Sequence, residues 1–134
     1  MIGLCCWAQD SAPSQSGLSA TWQTGVGFWN GRFWKTLDDS QKRIFLFGYA
    51  NGSHFAVFKT TTTFPEYKRF HETLWPTILT YDETKAALDR FYETPENGPV
   101  SISDALQVTA ARAKGTAEDV VQKFILELRA AASK

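Results

Sequence analysis

Cysteine is nearly missing from this chain. Cys5 and Cys6 are the only two, and they are adjacent. Neighbouring cysteines rarely bridge each other, and no C-x-x-C or Cys/His spacing is present to hold zinc. An excess of one charge is missing too: Lys+Arg 14 balances Asp+Glu 14 over 134 residues, with a pI near 6.7. That balance carries no electrostatic footprint for nucleic acid or for an anionic membrane. The central apolar run, Ile44 to Phe58, is about 15 residues long, short of the roughly 20 that a bilayer needs. It also contains Asn51, Ser53 and His54, so no membrane span is expected. G-x-G-x-x-G, the P-loop and G-x-S-x-G are all absent, which leaves no recognisable cofactor loop or nucleophile elbow.

What is present is an ordinary globular composition, 43% hydrophobic and 21% charged, rich in aromatics with Phe 10, Trp 5 and Tyr 4. The length suits one domain with a real core. The chain is organised around residues 40–59. Between Ile44 and Phe58 almost every turn carries apolar side chains on more than one face, the pattern of a helix inside a core. Gly48, Gly52 and Ala56 recur at i, i+4, i+8 and make a smooth track that a second backbone could approach closely. A rival reading survives at Asn51-Gly52, a strong hairpin signal that would split the stretch into two strands. Poor alternation argues against it, because neither face of such a hairpin would be polar.

Around that helix the spacing predicts several more. Asn30 is a cap candidate for a short helix carrying Phe33, Trp34 and Leu37. Thr60 to Thr63, β-branched and polar, should break the central helix. Pro65 can restart one, with Tyr67, Phe70, His71 and Leu74 on one stripe. Thr80 and Glu83 form a capping box for a helix of about Tyr81 to Glu93, facing inward through Tyr81, Leu88, Phe91 and Tyr92. Asn97-Gly98 suits a tight turn. Ser101 or Ser103 caps a helix carrying Ala105, Leu106, Val108 and Ala111, closed by Lys114-Gly115. Thr116 is expected to cap the last helix, whose apolar set is Ala117, Val120, Val121, Phe124, Ile125 and Leu128, with 130–134 fraying. The fold expected is all-α: a single-domain bundle of about five helices around the central apolar helix at residues 40–59.

Residues 1–8 read as the remnant of a signal peptide. Cys6-Trp7-Ala8 fits a small-x-small pattern ahead of a cleavage point at Gln9. Residues 9–26, rich in Ser, Gln, Gly and Pro, read as a flexible lead-in from which only Trp22 docks. The helical domain is placed at 27–130. A periplasmic or secreted location follows if residues 1–8 are removed, and a cytoplasmic one if they are a frayed terminus.

The chemistry-bearing residues are few. Asp38-Asp39, Asp82-Glu83 and Glu118-Asp119 sit at helix starts, where negative charge complements the macrodipole, so structure explains them without catalysis. His54 and His71 belong to no metal-ligand spacing. No catalytic residue, metal or cofactor is assigned. The candidate binding residues are Trp29, Trp34, Tyr49 and His54, which could line an aromatic pocket.

Asn30-Gly31, Trp34, Leu37, Lys42, Phe45-Leu46, Gly48-Tyr49-Ala50-Asn51-Gly52, Leu88-Asp89-Arg90-Phe91-Tyr92, Pro95-Glu96-Asn97 and Ile102 to Ala105 form a spaced pattern. It resembles small exported bacterial helical proteins and, more distantly, the Rap/Tai family of immunity proteins against type VI secretion amidase toxins. The resemblance spans roughly Asn30 to Gly115. It implies an all-helical, non-catalytic protein that acts by binding a protein partner. The chain lacks the cysteines that bridge helices in that family. The leading expectation is therefore an exported protein-binding bundle, immunity-like in its sharpest form. The alternative is a small hydrolase or ligand-binding module with an aromatic pocket near His54.

Overall fold

The computed structural model describes residues 22–24, 27–63 and 78–133, and four of its α-helices begin where the sequence supplies caps. The Asn30 side chain accepts hydrogen bonds from Arg32 N and Phe33 N and starts α1 (Gly31–Trp34). Asp38 Oδ1 accepts from Gln41 N while Gln41 Oε1 accepts from Asp38 N, a reciprocal cap for α2 (Asp39–Thr63). The expected Thr80/Glu83 capping box opens α3 (Tyr81–Glu93). A 3₁₀ turn, Pro95–Asn97, leads to α4 (Ile102–Ala113), capped by Ser101 Oγ rather than Ser103. Gly115, at φ +77°, closes α4 in the left-handed conformation that glycine adopts without strain. The last helix is α5 (Glu118–Ala132). Its N-cap is Ala117, with no side-chain cap bond, so Thr116 does not take the role expected of it.

The helices pack in sequence, α2 on α3, α3 on α4, α4 on α5. The core between them is built from Trp34, Leu46, Ala50, Leu88, Phe91, Tyr92, Ile102, Leu106, Val108, Val121 and Ile125. The segment before α1 is tied across the molecule. Ile102 N donates to Trp29 O at 2.8 Å, and Gly31 N donates to Val100 O at 3.3 Å. Trp22 docks as expected, its carbonyl accepting from Asn30 N and its ring 5.9 Å from that of Phe33. Trp22–Thr24, before residue 27, therefore pack against the segment that leads into α1.

The all-α architecture holds, and α2 is one continuous helix through Asn51-Gly52, not a hairpin. Asn51 Nδ2 donates to Phe47 O, which satisfies its side chain within the helix. The expected break at Thr60–Thr63 does not occur. Thr60 Oγ1 donates to Ala56 O and Thr62 Oγ1 to Phe58 O, so the threonines turn their hydroxyls back on the helix instead of competing with it. Two inward sets also need revision. Tyr81 and Val120 are exposed, while Thr84, which donates to Thr80 O, is buried in α3. The helix expected to restart after Pro65 and the leader at 1–8 lie outside the described residues.

Candidate functional site

The long helix departs from expectation in what covers it. Leu46, Ala50 and Val57 form a buried stripe against the core. Phe45 and Tyr49, next to that stripe, are half-buried and pack against the core as well. Ile44, Phe47, Phe55 and Phe58 form another stripe, and they are 68%, 59%, 64% and 65% exposed. At 100° per residue the centres of the two stripes lie roughly 120° apart around the helix. The expected central rod is thus sheathed on one side, while its second apolar stripe faces outward.

The small-residue track runs beside that outer stripe. A Cβ added at Gly48 or Gly52 would meet nothing within 4 Å. Among the described residues, the close approach that these glycines allow is made by no neighbouring helix. Phe47 leans against Tyr81, ring centroids 6.1 Å apart, and so continues the stripe towards exposed Tyr81 and Ile78 at the start of α3. Lys59 Nζ lies 5.8 Å from the Phe55 ring centroid, with its charge beside the stripe. The three phenylalanines alone leave on the order of 400 Å² of aromatic surface in water, at about 200 Å² per whole side chain. Patches of that size on a monomer are often functional.

The four candidate binding residues do not come together as one pocket. Trp34 is fully buried, and its Nε1 donates to Asp89 Oδ1 at 2.8 Å. Trp29 is half-buried and stacks on Phe33 at 4.3 Å, and Phe33 in turn meets Phe45 at 6.0 Å. Phe45 also takes the edge of Trp34 at 6.1 Å. These rings pack against one another and against the core, as aromatic side chains with large apolar area do. Tyr49 is half-buried near them, and burial raises its pKa. His54 is exposed further along α2, one residue before Phe55 of the outer stripe.

Asp89 organises the polar contacts behind Trp34. It accepts from Trp34 Nε1, from Lys42 Nζ at 2.8 Å and from Lys85 Nζ at 3.0 Å. Lys85 also reaches Asp39 Oδ1 at 2.9 Å. Partial burial pushes the Asp89 pKa up, but the bonds from Lys42, Trp34 and Lys85 outweigh it and hold the carboxyl below its ordinary value. The cluster joins α1, α2 and α3, and every charge in it has a partner, so it reads as a clamp and not as acid/base machinery. The acidic pairs behave likewise, with Asp39, Asp82, Glu83, Glu118 and Asp119 all in first turns of helices.

No protein-family model, curated protein or solved structure matches the chain. Among the described residues no helix is long and apolar enough to cross a membrane. Sequence reasoning missed the exposed stripe, although its signal was present. Ile44, Phe47, Phe55 and Phe58 fall at i, i+3, i+11, i+14, a helical face distinct from that of Leu46, Ala50 and Val57.

Proposed function

We propose that this protein acts by binding another protein along the outer stripe of α2, and that it catalyses no reaction of its own. The observation that carries this reading is the exposure of Ile44, Phe47, Phe55 and Phe58 beside open Gly48 and Gly52 on one helix. Large apolar side chains next to a glycine track suit a partner helix or ridge, because the glycines let the backbones approach while the phenylalanines fill grooves. The site chemistry points the same way: the described acidic pairs serve as helix caps and first-turn charges, and Asp89 is spent on a structural clamp. The resemblance to Rap/Tai immunity proteins supplies a specific form of the reading, an inhibitor that covers an amidase toxin. The leader-like pattern of residues 1–8 supports an encounter outside the cytoplasm.

The test compares wild type with a Phe47→Ser/Phe55→Ser double variant as bait, with amidase activity assayed in the captured material. Both side chains are exposed, so the variant should keep its helicity and melting temperature. The expected result is a partner held by wild type and lost by the variant. Equal retention by both would remove the outer stripe from the function. A captured amidase that keeps full activity would remove the inhibitory form.

A further inference from the structure

Three arginines from three helices line one cleft on a part of the molecule to which α2 contributes no residue. Arg90 comes from α3, Arg112 from the last turn of α4 and Arg129 from α5. All three line an inner lobe of about 200 Å³, shared with Thr94, Asn97 and Gln122 and holding no carboxylate. An outer lobe of about 700 Å³ adjoins it through Arg90, Phe91 and Arg112, and its walls include Leu79, Ala86, Ala87 and Ala113.

Arg129 is held in place without being neutralised. Arg129 Nε donates to Asn97 Oδ1 at 2.7 Å, and Asn97 is itself buried, its Nδ2 donating to Phe91 O at 2.6 Å. A neutral amide thus orients Arg129 and leaves its charge uncompensated. Arg112 makes a fork onto Glu118, Nη2 to Oε1 at 2.6 Å and Nε to Oε2 at 3.2 Å. Arg90 pairs with no acid among the described residues. Glu83 and Glu118 both lie on the outer lobe, Glu83 accepting from the Thr80 amide and hydroxyl and keeping its charge. The inner lobe therefore gathers three arginines and no acid, in a chain whose net charge is zero. Converging like charges cost free energy unless an anion joins them. A planar guanidinium fork matches a carboxylate.

We propose that this cleft binds a small carboxylic acid with an aliphatic body. Its carboxylate lies in the inner lobe against Arg90 and Arg129, and its apolar part runs along Ala86, Ala87 and Ala113. The Arg112–Glu118 pair stands at the junction of the two lobes. The Glu118 carboxylate keeps a second anion from the outer lobe, which leaves that lobe to the hydrocarbon. This site is independent of protein binding along α2.

Octanoate is a suitable probe, with octanol and inorganic phosphate as comparisons. Thermal unfolding and ¹H–¹⁵N spectra would be recorded for wild type, Arg90→Gln and Phe55→Ser. Octanoate is expected to raise the melting temperature and to move the arginine Nε–Hε resonances of Arg112 and Arg129. Arg90→Gln should weaken that binding about tenfold, the loss of one charge-assisted hydrogen bond. Arg90 is exposed, so its variant keeps the fold, and Phe55→Ser should leave octanoate affinity unchanged. The proposal is overturned if no binding is seen at about 10 mM octanoate, or if octanol binds as well as octanoate. It is also overturned if phosphate matches octanoate, or if the shifts are confined to α2 and vanish in Phe55→Ser.

Discussion

Replacing Gly31 with alanine should destabilise the fold, although alanine is normally the better helix residue. Gly31 opens α1 and is buried against the ring of Tyr92. A Cβ there would fall inside van der Waals contact of Tyr92 Cδ1 and Cε1 and lie 2.8 Å from Cγ. The ring has little freedom to retreat. Tyr92 is fully buried, its hydroxyl donates to Val100 O at 3.1 Å, and it stands edge-on to Phe91 at 5.0 Å. Nor is the glycine backbone free, because Gly31 N donates to the same Val100 carbonyl. Overpacking of this kind costs about 1–3 kcal/mol. The gain from replacing glycine in a helix is about 0.5–1 kcal/mol. The net expectation is a loss of about 1–2 kcal/mol, or a fall in melting temperature of roughly 4–8 °C for a domain of this size. Urea unfolding followed by circular dichroism would measure it, with an unchanged m-value showing that the same surface is exposed. The cause is isolated in a Tyr92→Leu background, where the ring is gone and Gly31→Ala should come within about 0.5 kcal/mol of neutral. A Gly31→Ala protein as stable as wild type would refute the reasoning, as would the same loss in both backgrounds.

Gly48→Ala and Gly52→Ala should do the opposite. Both positions are exposed in mid-helix with open space around them, so each change should stabilise by about 1 kcal/mol in thermal unfolding. The same pair should weaken partner capture, since the added methyls hold a second backbone away from α2, and undiminished capture would count against the glycine track. Asp89→Asn should cost about 1–3 kcal/mol at neutral pH, because Lys42 and Lys85 lose the carboxylate they share. The folded-state pKa of Asp89 is lowered, so its contribution is complete above the ordinary carboxylate value of about 3.9. That contribution is lost as pH falls through the lower folded value. Stability curves of wild type and Asp89→Asn should therefore converge below about pH 4, and a constant gap down to acid unfolding would show that the charge is not what matters.

The helix boundaries were legible because capping is local. Asn30, Thr80 with Glu83, Ser101 and Gly115 act within one turn of themselves, and the structure uses each as its spacing suggests. Thr60–Thr63 misled because β-branched residues disfavour helices only on average, and here the Thr60 and Thr62 hydroxyls bond back to the carbonyls one turn earlier. Coverage of α2 was not legible for a different reason. A helix apolar on two stripes is compatible with burial on both or with burial on one, and the choice depends on how many neighbours reach it. Among the described helices only α3 packs extensively on α2, because α4 and α5 are already layered against α3 and against each other. Sequence periodicity reports which side chains share a face and is silent on whether anything lies opposite. The arginine cleft lay beyond reach for the same reason. Arg129 falls outside the apolar set of α5, and no spacing along the chain links it to Arg90 or Arg112. They meet only because the order α3, α4, α5 brings three helices to one hollow. What a single sequence hides in this fold is therefore the set of features that two or more helices make jointly, and both proposed binding surfaces depend on such features. Where each helix speaks for itself, from cap to last turn, the chain is readable; where function needs a neighbour, or needs one to be absent, only the packing shows it.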